Sequence, residues 1–469
     1  MSNTYPDDFL WGAAAASYQV EGATGADDRS DSVWDVFSRW PGKVYDGHTG
    51  AQACDHFHRY EEDAALMGDL GLGAYRLSIA WSRIIPDGTG TPSEAGLAFY
   101  DRLIDALLAK GVQPWITLFH WDLPNTLQRR GGFLNREMVD WFANYTQVIA
   151  KRYGDRVQNW FTLNEMACFI ELGLRGGVHA PGWQLPIGEV VVAQHHAMMA
   201  HGRAVQELRE HCKITPRIGC APTGKIGMPA SDSKADRDAS YEWTFEVDTP
   251  DPANVWPTKL FNYALMGDPA LLGHYPEGFD ALYGASMPKN YENDLPVIHQ
   301  PLDFFGMNIY NANTIKAGDN GTLEKMERPE GHPITMMGWP VTPDCLAWGV
   351  KHIGRRYDNI PVYITENGCA SMDWVSADGK IHDAARVDFL TRHLASLRSA
   401  IAEGANCAGY FQWSIMDNYE WQEGYQKRFG LIYLDYATQE RIPKDSYHFY
   451  SDVIRTNGAC LPSNLAPLR

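Results

Sequence analysis

The feature that most constrains this chain is an alternation. Short apolar, strand-like runs recur along it, and amphipathic helical stripes separate several of them. Eight runs stand out, at 9–14, 74–80, 112–119, 159–164, 217–221, 304–310, 361–365 and 408–414. Near-continuous apolar runs belong to strands covered on both faces, as in a parallel sheet flanked by helices. Leu97, Tyr100, Leu103, Ile104, Leu107 and Leu108 recur at helical spacing, with Ser93 as cap and Gly111 as stop. Met138, Trp141, Phe142, Tyr145, Val148 and Ile149 form a second stripe, with Asn135 as cap and Gly154 as stop. A third runs from Phe57 through Tyr60, Ala64 and Met67 to Leu70 and ends at Gly71. The expected fold is a (β/α)8 TIM barrel over residues 1–469, a single catalytic domain with long loop insertions at its C-terminal face. Length alone suggests about three domains, but barrels exceed that prior as single units. The alternative, a doubly wound sheet, lacks its G-x-G-x-x-G after the first strand.

A barrel gathers all its strand C-termini at one face. Two runs end there in a glutamate: Asn159-Trp-Phe-Thr-Leu-Asn-Glu165 and Pro361-Val-Tyr-Ile-Thr-Glu366-Asn-Gly368. Far apart in sequence, they become neighbours only through such closure. A lone strand-end glutamate is usually a solvated charge. Two facing carboxyls are what glycoside hydrolysis requires.

Composition excludes several alternatives. The net charge of −18 offers no cationic stripe for nucleic acid or for an anionic membrane surface. The 8 cysteines form no C-x-x-C pair and read as scattered reduced thiols. The first residues lack a basic region, and the apolar stretch from Phe9 to Ser17 is too short to span a bilayer, so a cytoplasmic protein is expected. The 16 Trp and 23 Tyr permit stacking on sugar faces. Cys54, His56 and His58 are weak metal ligands, because on a helix His56 points away from the other two.

The other strand tips carry a polar and aromatic set: Gln19, Arg76, Trp81, His120, Trp121, Asn164, Asn308, Tyr310 and Trp413, followed by Glu420, Trp421 and Phe429. Amides, an imidazole and a carboxylate take directional bonds from hydroxyls, while indoles cover an apolar ring face.

Several of these segments resemble the signatures of glycoside hydrolase family 1, the β-glucosidase family. They include Thr-Leu-Asn-Glu165, Ile-Thr-Glu366-Asn-Gly, Asn-Tyr-Glu420-Trp421, Phe9-Leu-Trp-Gly, Tyr18-Gln-Val-Glu-Gly, Tyr75-Arg-Leu-Ser-Ile-Ala-Trp, Leu118-Phe-His-Trp-Asp-Leu-Pro and Gly177-Val-His-Ala-Pro-Gly. The resemblance implies a retaining β-glucosidase with Glu366 as nucleophile and Glu165 as acid/base. It implies that Gln19, His120, Trp121, Asn164, Glu420, Trp421 and Phe429 meet the cleaved sugar, with Trp413 beneath its ring. Arg76, Asn308 and Tyr310 would surround the nucleophile, and Trp339 would be the leaving-group platform. Retention predicts carboxylates about 5–5.5 Å apart, titrating in coupled steps. The implied partners are small-molecule β-glycosides, with no metal and no organic cofactor.

Met166 stands where the family has proline, Cys345 where glycine is usual, and Gln412 at a position often apolar. A 6-phospho-β-glucosidase on the same fold is disfavoured because Glu420 would repel a phosphate dianion. A β-galactosidase or β-fucosidase differs only in sugar stereochemistry near Gln19 and Glu420 and stays open. A catalytically inactive sugar-binding protein would have lost one of the glutamates, and both are present.

Overall fold

The computed structural model describes residues 4–247 and 260–468. Its centre is a parallel sheet of β1 Leu10–Ala14, β2 Ala74–Ser78, β3 Gln113–Phe119, β4 Asn159–Asn164, β5 Arg217–Ala221, β6 Phe305–Asn308, β7 Val362–Asn367 and β8 Cys407–Trp413. The hydrogen-bonded order is β5-β4-β3-β2-β1-β8-β7-β6, with every pair parallel. The seam between β5 and β6 is bridged by Asn308 N to Pro222 O at 3.0 Å and Asp303 N to Ile218 O at 2.8 Å. The eight runs read from the sequence are these eight strands, with small shifts at their ends.

Helices such as His56–Leu70, Glu94–Ala109, Met138–Tyr153, Ile187–His211, Cys345–Arg356 and Ala384–Ala402 follow the strands. Their apolar stripes enter one large core with the outer faces of the strands. Ser93 caps its helix by accepting from Gly96 N. Asn135 caps the next: its backbone is extended, its Oδ1 accepts from Glu137 N at 3.0 Å and its carbonyl accepts from Met138 N at 3.0 Å, with regular helix from Met138 onward. Gly71 ends the first at φ +87°, where a side chain would be strained.

A second, separate core fills the barrel. Trp115 lies at its centre, with Phe304, Phe411, Tyr363 and Phe161 rings 4.8–5.8 Å away. Small residues at Ala14, Ala74 and Ala221 make room for these rings. A Cβ on Gly219 would stand 2.2 Å from Phe304. The aromatic plug closes the barrel and forms the floor of its C-terminal end.

Both glutamate-bearing strands carry a bulge just before their tips. Between Phe161 and Asn164, β4 spends three steps while β5 spends two. Between Ile364 and Glu366, β7 takes two steps while β6 takes one. An extra residue reverses the inward–outward alternation. Thus Phe161 faces the inner core and Thr162 bonds His201 on an outer helix, yet Asn164 turns inward again to Arg76.

Removing the central ring of the plug opens a cavity that rigid strands cannot collapse. Trp115→Ala is expected to lower the unfolding free energy by about 3–5 kcal/mol, read as a shifted urea midpoint. A change below about 0.5 kcal/mol, the size of a surface substitution, would show that the plug does not hold the barrel.

Candidate active site

A cleft of about 1540 Å³ opens at the C-terminal ends of the strands. Glu165, Glu366, His120, Trp121, Asn308, Tyr310, Trp339, Trp413, Glu420, Trp421 and Phe429 all line it. Gln19, Arg76 and Asn164 are fully or almost fully buried and bond to groups at its edge. One rim is the small sheet of Gly227–Pro229, Asn313–Ala317 and Leu323–Lys325.

Glu366 is held by two donors. Arg76 Nη1 reaches Oε1 at 2.6 Å and Tyr310 OH reaches Oε2 at 2.8 Å. Burial pushes its carboxyl up, and the Arg76 charge and hydrogen bond oppose that most strongly. Among the described residues Glu165 has no comparable cation. Asn308 Nδ2 donates to its Oε1 at 3.0 Å and Cys168 Sγ lies 3.1 Å from Oε2. Burial and then the negative charge of Glu366 push its carboxyl well above the usual carboxylate range. Burial raises both carboxyls, but Arg76 and Tyr310 oppose the rise at Glu366, so Glu165 is left the weaker acid of the pair.

Arg76 also orients the amides between them. A guanidinium can only donate, so the Asn164 atom it contacts through Nη2 is the oxygen. Asn308 therefore turns Nδ2 to that oxygen, at 2.9 Å, and the same Nδ2 faces Glu165. Asn164 Nδ2 then faces His120 Nε2 at 3.1 Å, making Nε2 an acceptor and placing the ring proton on Nδ1. Burial, with Arg76 nearby, keeps that imidazole neutral.

The opposite wall carries acceptors. Gln19 Nε2 donates to Tyr419 O at 2.8 Å and to Asn418 Oδ1 at 3.0 Å, which leaves its Oε1 for another partner. Gln19 Oε1 and Glu420 Oε2 are buried with no hydrogen-bond partner among the described residues. Burial and then the charges of Glu366 and Glu165 push Glu420 up to about 8. Indoles sit beside them: Trp421 is 4.5 Å from Trp121, and His120 stacks between Trp413 and Trp421 at 5.8 and 5.9 Å. Across the cleft, Trp339 lies 5.0 Å from Tyr310 and 6.1 Å from Phe429.

The loop bearing Glu420 and Phe429 is tied down by a buried ion network. Lys444 Nζ bonds Asp417 at 2.7 Å and Asp373 at 2.6 Å, Arg428 bonds Asp417 at 2.6 Å, and Arg386 bonds Asp373 and Asp383. Lys427 Nζ donates to Met336 O at 2.8 Å and links the same loop to the turn that presents Trp339. Glu165, Trp121 and Trp421 all have positive φ, at 43°, 79° and 49°. Such geometry costs about 1–3 kcal/mol each and persists only where the surroundings over-determine it.

Other sequence candidates fall elsewhere. Cys54, His56 and His58 do not converge: Cys54 bonds Asp417 O, His56 bonds Asp63 and His58 bonds Asp55. Cys345 is buried at the start of its helix, outside the lining of the cleft. Gln412 is satisfied between Tyr410 OH and Trp413 O. Sequence reasoning missed Thr117 and Thr365, which bond Arg76 Nε and Asn308 Oδ1 at 3.2 and 2.7 Å. It also missed Cys168 and His179 in the cleft wall. Cys168 was signalled only by its place three residues after Glu165.

Fold and site together define a class: a parallel eight-stranded barrel with a pair of unequal carboxyls at its C-terminal face. The chain belongs to glycosyl hydrolase family 1, whose model matches residues 1–459. It is 43% identical over 455 residues to beta-glucosidase A of Thermotoga maritima, covering 97% of this chain and 98% of that protein. It is 38% identical over 483 residues to the bifunctional beta-D-glucosidase/beta-D-fucosidase of Bifidobacterium breve, covering 98% of this chain and all of that one. The solved Thermotoga maritima beta-glucosidase in complex with deoxynojirimycin superposes with a TM-score of 0.87 at 43% identity, covering 97% and 99% of the two chains.

Tyr310 is one of the two donors that favour ionised Glu366. Tyr310→Phe should raise the Glu366 pKa, measured by carbon-13 NMR titration of the labelled carboxyl; an unchanged or lower value would refute the assigned donor.

Proposed function

We propose that this protein is a retaining β-glucosidase, cleaving terminal non-reducing β-D-glucosyl residues from small glucosides and short oligosaccharides. Glu366 is the nucleophile and Glu165 the acid/base. The observation that carries the reading is the unequal setting of these two carboxyls. Arg76 and Tyr310 favour the anion of Glu366 against its burial, while burial and its neighbour's charge raise Glu165 further and favour its acid form. The names of the relatives support glucose as the sugar.

In the first step a Glu366 oxygen attacks the anomeric carbon while Glu165 gives its proton to the departing oxygen. The Glu366 charge disappears into the ester bond of the glycosyl-enzyme. The repulsion that raised the Glu165 pKa disappears with it, and Glu165, now an anion, can remove a proton from water. That water attacks the anomeric carbon and Glu366 leaves. Gln19 Oε1 and Glu420 Oε2 accept sugar hydroxyls, the Nδ1–H of His120 donates to one, and Asn164 helps to orient that imidazole. Trp413 underlies the ring, Trp121, Trp421 and Phe429 complete its walls, and Trp339 supports the leaving group. Lys427 donates to Met336 O and the Glu420 carboxyl is buried beside the pair, an arrangement that disfavours a 6-phosphate.

We read residues 1–469 as one catalytic domain. Among the described residues no helix is long and apolar enough to cross a membrane. All eight cysteines are free, which supports a reducing, cytoplasmic compartment.

Glu366→Gln should lower turnover on the order of 10³-fold or more with an unchanged circular dichroism spectrum; near-normal hydrolysis would sink the assignment. Glu165→Ala should slow glucosides with poor leaving groups most, with azide restoring the second step; equal losses for all leaving groups would count against it. The kcat/KM profile should be bell-shaped. Activity is lost as pH falls through the Glu366 pKa and as it rises through the raised Glu165 pKa, so the alkaline limb lies well above the usual carboxylate range. An alkaline limb at an ordinary carboxylate value would contradict the acid role.

A further inference from the structure

We propose that the Cys168 thiol is the positioning partner of the acid/base. It accepts a hydrogen bond from Glu165 Oε2–H in the acid form and donates one to Oε2 in the base form. This rests on the reading of Glu165 as acid/base.

The argument begins with the location of the proton. Asn308 faces Glu165 Oε1 with its Nδ2, an orientation enforced through Asn164 by Arg76, which can only donate. Oε1 therefore accepts a hydrogen bond already, and the acidic proton resides on Oε2. The group beside Oε2 is Cys168 Sγ, at 3.1 Å. A lysine or amide nitrogen there could only donate and would oppose the acid form. A carbonyl could only accept and would oppose the base form. A thiol does both by rotating its S–H.

Its placement is not accidental to the fold. Cys168 opens the π-helical segment Cys168–Arg175, and its backbone N donates to Glu165 O at 2.8 Å. The turn that forces Glu165 to φ +43° thus also sets the thiol against its carboxyl. π-Helical turns recur at functional sites. Cys168 is buried, and burial and the Glu165 charge push its own pKa far up. It stays a neutral thiol and does not add a like charge to the pair. Its proton remains on sulfur throughout: the transferred proton runs from Oε2 to the leaving oxygen, and later from water to Oε2.

A hydrogen bond to a charged acceptor is stronger than one from a neutral acid. The thiol therefore favours the base form, and its removal should raise the Glu165 pKa in both the free enzyme and the glycosyl-enzyme. The test compares Cys168→Ala and Cys168→Ser with the parent and with Glu165→Ala. pH profiles are taken on methyl β-glucoside and on 2,4-dinitrophenyl β-glucoside, whose slow step is hydrolysis of the glycosyl-enzyme. Cys168→Ala should move the alkaline limb of kcat/KM for the methyl glucoside upward. It should also lower kcat for the dinitrophenyl glucoside roughly 3–10-fold at neutral pH. The serine variant, which can donate and accept, should restore both. Unmoved limbs in the alanine variant, or a serine variant as impaired as alanine, would reduce Cys168 to a space-filler and overturn the proposal. If the alanine variant does not fold, Cys168→Val takes its place with the same expected shifts. A Glu165→Ala enzyme that kept the parent pH profile on both substrates would instead overturn the acid/base reading, which separates the two failures.

Discussion

The site is organised by the buried contact of Arg76 with Glu366. Arg76 stands above the aromatic plug, 1% exposed, with its guanidinium 5.1 Å from the Phe161 ring. Burying a cation and an anion is costly unless the remaining donors are satisfied. Here Thr117 Oγ1, Thr365 O and Asn164 Oδ1 take the other contacts. Each of these is also a directional constraint. Through them one charged group fixes which way two asparagines and a histidine turn, and so which atoms a substrate would meet as donors and which as acceptors.

The plug beneath and the ion network beside the cleft serve the same end by different means. Packed rings resist compression, so strand tips cannot drift. The network of Lys444, Arg386 and Arg428 with Asp373, Asp383 and Asp417 is charge-balanced and almost wholly shielded from water. It joins the segment after β7 to the loop after β8, whose Glu420 and Phe429 face the two glutamates. Polar contacts at an open rim would be loosened by water and salt; these lie where neither reaches easily.

Much of the architecture was legible in the sequence because apolar periodicity is a local property. The eight runs, the helix over Leu97–Leu108 with its Ser93 cap, and the glutamates at two strand ends all depend on short stretches of chain. The Asn135 cap was legible for the same reason, since a short polar side chain bonds the backbone N–H two residues on. Cys168, Thr117 and Thr365 were illegible as site residues. A thiol or hydroxyl acquires a role only from what the fold brings within bonding distance.

The sequence by itself determined the class of fold, the family and the inventory of chemical groups at the strand tips. Each follows from residue type and spacing along one segment. The tertiary structure decided how those groups differ from one another. A bulge in β4 and another in β7 reversed the side-chain alternation just before the tips. Closure then placed Arg76 against Glu366 and left Glu165 with an amide and a thiol. Two glutamates of the same intrinsic acidity became unequal acids, because pKa depends on the surrounding charges and on access to water, and those are fixed only once distant segments have met.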